Sequence, residues 1–221
     1  MRIIFVRHGQ TVFNIESRYQ GHTDAKLSDL GRRQAIRAAE RLKEEKIDAV
    51  YSSDLSRASE TAQAVARFHN LPVQTDERLR ECAFGDWEGL TVSQIAEIHP
   101  ELYENYRRDS VTHRAPNGER LEALQERVVR AISDIAERHP EATVAAVVHG
   151  GPIRAFLCHA LGTPLETFRK IKLDNCGITI LSLASDGGWF LEALNDTRHL
   201  DGLEVTDHSL DETSAAADKA R

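Results

Sequence analysis

The sequence predicts an α/β fold built on a mostly parallel sheet, and three observations carry that expectation. Strand-like and helix-like segments alternate from residue 2 to residue 194, the pattern of βαβ units. The run Thr143-Val144-Ala145-Ala146-Val147-Val148 shows no polar alternation, as expected of a strand covered on both faces by helices. A shorter apolar run, Ile3-Ile4-Phe5-Val6, opens the chain and leads directly into Arg7-His8-Gly9.

The elements follow in order. Residues 2–6 form the first strand. A helix is expected from Ser28, its N-cap, to about Glu45, with Ala35, Ala38, Ala39 and Leu42 on one stripe. Asp48 to Tyr51 is a short strand. Ser53 then caps a helix to about His69, with Leu55, Ala58, Ala62, Val65 and Ala66 facing in. Leu71-Pro72-Val73 begins another strand, and Pro100 divides two short helices, 91–98 and 101–108. Gly118 to His139 is a long helix with Leu121, Leu124, Val128, Ile132 and Ile135 on one face. After strand 143–148, Pro152 sits in the first turn of a helix to about Leu161. Residues 177–183 and 189–194 read as strands around the Asp186-Gly187-Gly188 turn. From about Val205 to Arg221 the chain is polar, alanine-rich and without apolar periodicity, and a frayed or disordered tail is expected there.

Composition narrows the function classes. A chain of 221 residues is long enough for one well-buried domain with a small subdomain. A net charge of −7 and a pI near 5.8 argue against nucleic acid or an anionic membrane as the main partner. No apolar stretch approaches the roughly 18 residues of a membrane span, and the N-terminal run is too short for a signal peptide. Cys82, Cys158 and Cys176 are an odd number without CxxC spacing, which points to reduced, buried thiols in a cytoplasmic protein.

The chemistry-bearing residues collect at predicted strand ends. Ligands of open α/β sheets bind just outside the carboxyl ends of the strands, which is where Arg7, His8 and His149 fall. An arginine there can hold an anion, and a histidine can attack phosphorus. Arg57, in the first helical turn after strand 48–51, leans back toward that edge, because helical side chains tilt toward the N-terminus. A cation is disfavoured at a helix N-terminus, so its placement suggests a compensating anion, although an isolated first-turn arginine is usually a solvated charge. Glu81 lies among Cys82, Phe84 and Trp87. Partial desolvation there favours the proton-carrying form and suits a general acid, whereas a lone loop carboxylate would simply face water.

Four stretches together resemble the histidine phosphatase superfamily, which includes the cofactor-dependent phosphoglycerate mutases. They are Val6-Arg7-His8-Gly9-Gln10-Thr11 with Asn14, Gln20-Gly21, Asp24 and Leu27; Tyr51-Ser52-Ser53-Asp54-Leu55-Ser56-Arg57-Ala58; Glu81 with Phe84-Gly85-Asp86-Trp87-Glu88-Gly89; and Val148-His149-Gly150-Gly151-Pro152-Ile153-Arg154. The resemblance spans residues 2 to about 183. It implies a three-layer αβα sandwich spanning residues 1–204, with a cap at about 84–117. It also implies that His8 becomes phosphohistidine, that Glu81 is the proton donor, and that Arg7, Arg57 and His149 hold the transferring phosphoryl group. Asn14, Gln20, Gly21 and Gly150 would complete the phosphate pocket. Two departures, Lys26 where relatives often have proline and Pro116-Asn117-Gly118-Glu119-Arg120 where many read PGGES, are expected at the rim of the site.

The resemblance implies a phosphatase acting on a small phosphorylated metabolite. A phosphoglycerate mutase and a non-catalytic phospho-ligand-binding module are the alternatives. Mutases of the family carry a longer insertion between the proton donor and the second histidine, and here that interval is short. No HExxH, Walker-type loop or dense carboxylate cluster is present, so no metal or nucleotide cofactor is expected. Among the cap residues Trp87, Tyr103, Tyr106, Arg107, Arg108, His113 and Arg114, one arginine is a candidate for a second anionic group of the substrate. His69, His99 and His139 are expected at helix ends on the surface. Oligomeric state is open, a homo-oligomer included.

Overall fold

The structure, a computed structural model, describes residues 1–203; the tail expected from about residue 205 lies outside them. Six strands form one sheet: β1 (Arg2–Arg7), β2 (Ala49–Ser52), β3 (Val73–Thr75), β4 (Thr143–Val148), β5 (Ile178–Leu183) and β6 (Trp189–Asp196). Their order is β3-β2-β4-β1-β5-β6. β3, β2, β4 and β1 are parallel neighbours, while β5 runs antiparallel to both β1 and β6. Seven α-helices accompany them: α1 (Val12–Ile15), α2 (Asp29–Leu42), α3 (Ser56–His69), α4 (Val92–Ile98), α5 (Pro100–Arg108), α6 (Leu121–Arg138) and α7 (Gly150–Ala160).

The unbroken apolar runs of β1 and β4 are explained by two cores. Ile3, Phe5, Val144, Ala146 and Val148 pack on one face with Leu124, Val128, Ile132 and Ile135 of α6 and Ile153 and Phe156 of α7. Ile4, Val6, Ala145 and Val147 pack on the other with Ala35, Ala38 and Leu42 of α2 and Ala58, Ala62 and Val65 of α3. Alternate residues thus enter opposite layers, and all are apolar because both layers are dry.

This arrangement also creates the crevice. β1 and β4 are adjacent, with Arg7 opposite Val148. The chain leaving β1 goes to α2 on one face, and the chain leaving β4 goes to α7 on the other. Divergence of the two connections opens a cleft at the carboxyl ends of those strands, the usual ligand position in such sheets. The turn out of β1 is tight: a Cβ on Gly9 would lie 2.4 Å from Gly31 O, and one on Gly31 would lie 2.0 Å from Gln10 O. Two glycines let the loop after His8 touch the start of α2 backbone to backbone.

Several boundaries differ from expectation. Ser28 does cap α2, accepting the Gly31 N–H. Ser53 does not cap α3; that helix starts at Ser56, its N-cap Leu55 offers no side-chain bond, and the Ser56 N–H is instead taken by Asp24 Oδ1 at 2.8 Å. The long helix begins at Leu121 rather than Gly118, and β3 covers 73–75. Pro100 is the first residue of α5, where its missing N–H costs nothing. His139 is not a simple surface residue, since its Nε2 lies 3.1 Å from Tyr51 Oη. Among the described residues no helix is long and apolar enough to cross a membrane.

Candidate active site

The sheet register brings the predicted residues together. Because Arg7 pairs with Val148 and Ser52 with Val147, the residues that follow these strand ends emerge side by side. The His8 N–H donates to Val148 O at 2.9 Å and the Ser53 N–H to Val147 O at 3.1 Å. The rings of His8 and His149 lie 5.1 Å apart, inclined at 59°.

His8 is 2 % exposed. Its Nδ1 lies 2.7 Å from Gly9 O. A carbonyl oxygen only accepts, so Nδ1 carries the proton and Nε2 keeps its lone pair in the neutral ring. Burial first, then the guanidiniums of Arg57 and Arg7, holds the His8 pKa well below the usual imidazole value. The outcome is a buried, neutral imidazole whose tautomer leaves the Nε2 lone pair free. From the other side, Asn175 Nδ2 donates to His8 O at 3.0 Å and the Cys176 N–H to Arg7 O at 2.9 Å.

His149 is fully buried, and neither ring nitrogen has a hydrogen-bond partner among the described residues. Buried polar atoms are normally satisfied within the protein, so this imidazole has donor capacity for a ligand. Its pKa is also held well below the usual value, mainly by burial and then by Arg57.

Arg57 is wholly buried; Nη2 donates to Gly21 O at 2.8 Å and Nη1 to Thr23 O at 3.0 Å. Thr61, one turn along α3, receives the Gly9 N–H at 3.2 Å and donates to Arg57 O at 2.8 Å. The loop after His8 and the Arg57 helix are thereby joined by one hydroxyl. Arg7 Nη1 donates to Leu173 O at 2.5 Å. A Cβ at Gly150 would stand 3.8 Å from Arg7 Nε, which places that guanidinium against the start of α7.

Glu81, 8 % exposed, closes the group from a segment without regular structure. Its Oε1 accepts the N–H of Cys82 at 2.8 Å and of Gly151 at 3.0 Å, while Oε2 stands 3.3 Å from Gly151 N. Asn14 and Gln20 are both buried and meet at Thr11: Asn14 Oδ1 accepts the Thr11 N–H, and Gln20 Oε1 accepts Thr11 Oγ1–H at 2.9 Å.

Trp87, Tyr103 and Tyr106 stack edge-on in the core, with Trp87 and Tyr106 centroids 5.1 Å apart. Arg107 pairs with Glu104 and Arg108 donates to Asn105, each on its own helix. Glu119, in the segment expected at the rim, has its carboxylate bound bidentately by Arg127. Nothing in the spacing marked Arg127, Asn175 or His22 as part of the site, since each acts on backbone carbonyls. Among the described residues no group of three or more His, Cys, Asp and Glu is placed to hold a metal ion.

Residues 3–197 match the histidine phosphatase superfamily (branch 1). The chain is 39 % identical to phosphoglycerate mutase-like protein 4 of Arabidopsis thaliana, over 90 % of this chain and 86 % of that one. It is 33 % identical to phosphoserine phosphatase 1 of Hydrogenobacter thermophilus, over 94 % and 98 % of the respective chains. A mycobacterial glucosyl-3-phosphoglycerate phosphatase in complex with VO3 superposes with a TM-score of 0.83 at 35 % identity, covering 89 % of this chain and 99 % of that one.

Proposed function

The chain belongs to the histidine phosphatase superfamily, and on that footing we propose that it hydrolyses small phosphomonoesters through a phosphohistidine at His8. The observation that carries this reading is the pair of buried histidines 5.1 Å apart, one tautomerically set for attack and the other unpartnered, between two buried arginines.

Phosphoryl transfer spreads charge over three equatorial oxygens, so catalysis is mostly positioning and electrostatic stabilisation. Arg7, Arg57 and the N–H of His149 supply donors for those oxygens without a metal. His8 Nε2 attacks phosphorus in line; the bond to the leaving oxygen breaks as Glu81 gives that oxygen its proton. Water then attacks phosphohistidine, Glu81 takes back a proton, and inorganic phosphate leaves neutral His8 behind. Glu81 Oε2 suits the proton traffic, because Oε1 is held by two backbone N–H groups. Asn14, Gln20, Gly21 and Gly150 line the phosphate pocket in this reading.

Hydrolysis rather than mutase chemistry is supported by how little chain is available to close the site. Of the interval between Glu81 and His149, α6 takes 18 residues, and the short helices before it bury Ile95, Tyr103 and Tyr106 in the core. A small cap formed by about residues 84–117 leaves phosphohistidine open to water. Cys82, Cys158 and Cys176 are buried and form no disulfide, which supports a cytoplasmic location.

Rapid quench with labelled substrate is expected to trap an acid-labile, alkali-stable label that His8→Ala lacks, with turnover unaffected by EDTA. Supplying 3-phosphoglycerate with 2,3-bisphosphoglycerate distinguishes the alternative. Fast isomerisation with little free phosphate would establish a mutase, and loss of activity in EDTA restored by a divalent ion would overturn the metal-free scheme.

A further inference from the structure

Glu81 is placed by a segment that has no helix or strand to satisfy it. Residues 77–79 form one 3-10 turn, and residues 80–84 have no regular structure. Carbonyls in such a segment need donors from elsewhere. One side chain supplies most of them. Arg127 Nη1 donates to Arg78 O and to Arg80 O, both at 2.7 Å, and Nη2 donates to Glu81 O at 2.8 Å. Its other two N–H groups go to Glu119: Nε to Oε1 at 2.7 Å and Nη2 to Oε2 at 2.8 Å. All five guanidinium donors are therefore used.

Glu119 completes the frame from the other side of Glu81. Its backbone N–H donates to Ala83 O at 2.8 Å, and its Oε2 lies 3.3 Å from Ala83 N. Residues 78, 80, 81 and 83 are thus all fixed by one ion pair whose side chains are only 20 % and 16 % exposed. The Glu81 carbonyl also accepts from His22 Nε2 at 2.9 Å. An arginine that only needed a charge partner would not require this fork; lysine, with three donors on one nitrogen, cannot reproduce it.

We propose that the Arg127–Glu119 pair is the positioning device of the proton donor, fixing the backbone on both sides of Glu81 so that its carboxyl group faces the leaving oxygen. The inference rests on the phosphatase reading above. Their replacement should act mainly through Glu81: the Arg127 charge also helps lower the His149 pKa, and Arg127→Lys keeps that charge.

The test uses leaving-group dependence. A nitrophenolate departs without protonation, whereas an alkoxide does not. In Arg127→Lys and Glu119→Gln, kcat for an alkyl phosphate is expected to fall about 10- to 100-fold, a fraction of the effect of a lost general acid. With 4-nitrophenyl phosphate, kcat should change less than about threefold on the same scale, with KM nearly constant for both substrates. Adding Glu119→Gln to Glu81→Gln should cause little further loss. Thermal melts screen for folding, and if Arg127→Lys does not fold, Glu119→Gln, which leaves the arginine in place, carries the test. Equal losses on both substrates, or additive losses in the double variant, overturn the positioning role while leaving the phosphatase reading intact. A wild-type protein without phosphomonoesterase activity overturns both.

Discussion

Glu81 Oε1 accepts the Gly151 N–H at 3.0 Å, and a Cβ on residue 151 would stand 2.1 Å from that same oxygen. The start of α7 thus holds the carboxylate with a backbone donor and leaves no space for any side chain. Gly151→Ala should displace the carboxylate, while the helix itself gains from alanine by up to about 1 kcal/mol. Turnover of alkyl phosphates is expected to drop about 100-fold, within the range for a general acid, with little change in melting temperature. Kinetics and a thermal melt on the same preparation check this; a variant with wild-type turnover would remove Glu81–Gly151 contact from the mechanism.

The parts of this site that were legible in the sequence are those attached to strand ends. Arg7, His8 and His149 follow apolar runs, and parallel pairing of β1 with β4 brings such ends together. Arg57 was legible as a residue but not in its setting. Ser53 looked like a cap, yet α3 begins three residues later because Asp24, from a distant loop, takes the Ser56 N–H. Arg127 was invisible because it neighbours the apolar stripe of α6 and its acceptors are mostly carbonyls, which every residue has. The packing of Trp87 against Tyr106 was not legible for a related reason: composition shows that both are large and aromatic, and only the fold shows which partners they meet.

Arg57→Lys should be far from conservative. The guanidinium reaches Gly21 O and Thr23 O with separate nitrogens, a geometry that one ammonium cannot match while also meeting a phosphoryl oxygen. Losing one preorganised donor to developing charge typically costs 10²–10³-fold, so kcat/KM is expected to fall by about that factor. Unpaired carbonyls should also lower stability by about 1–3 kcal/mol. Steady-state kinetics and denaturant melts measure the two effects; retention of more than a tenth of wild-type kcat/KM would contradict this role.

Stability should fall on mild acidification. Folded His8 and His149 both have pKa values well below the usual one, chiefly through burial. In the unfolded chain each takes its proton near pH 6.5. The unfolded state then binds more protons, so their contribution is complete above about pH 6.5 and is lost as pH drops from there toward the folded pKa values. Each histidine adds at most about 1.4 kcal/mol per pH unit to the slope. Denaturation at pH 7, 6 and 5 should show a shallower acid loss in His149→Gln than in the wild type. Parallel curves would mean that His149 titrates in the fold as it does in the unfolded chain, contrary to its lowered pKa.

Glu88 ties the loop that holds Arg57 to the segment that follows Glu81. Its Oε2 accepts the Thr23 N–H and hydroxyl, each at 2.9 Å, and its Oε1 accepts the N–H groups of His22 and Phe84, each at 3.0 Å. Four donors converge on one carboxylate, and the loop they order presents Gly21 O and Thr23 O to Arg57. In Glu88→Gln one acceptor oxygen becomes an NH2 group facing at least one backbone N–H, so at least one bond turns repulsive. Stability should fall by about 1–3 kcal/mol. Because Arg57 would lose its fixed carbonyls before it lost its charge, KM and the vanadate inhibition constant should both rise about tenfold, the equivalent of about 1.4 kcal/mol of anion binding. Glu88→Gln with lowered stability but unchanged vanadate affinity would show that the loop and the phosphate pocket are uncoupled.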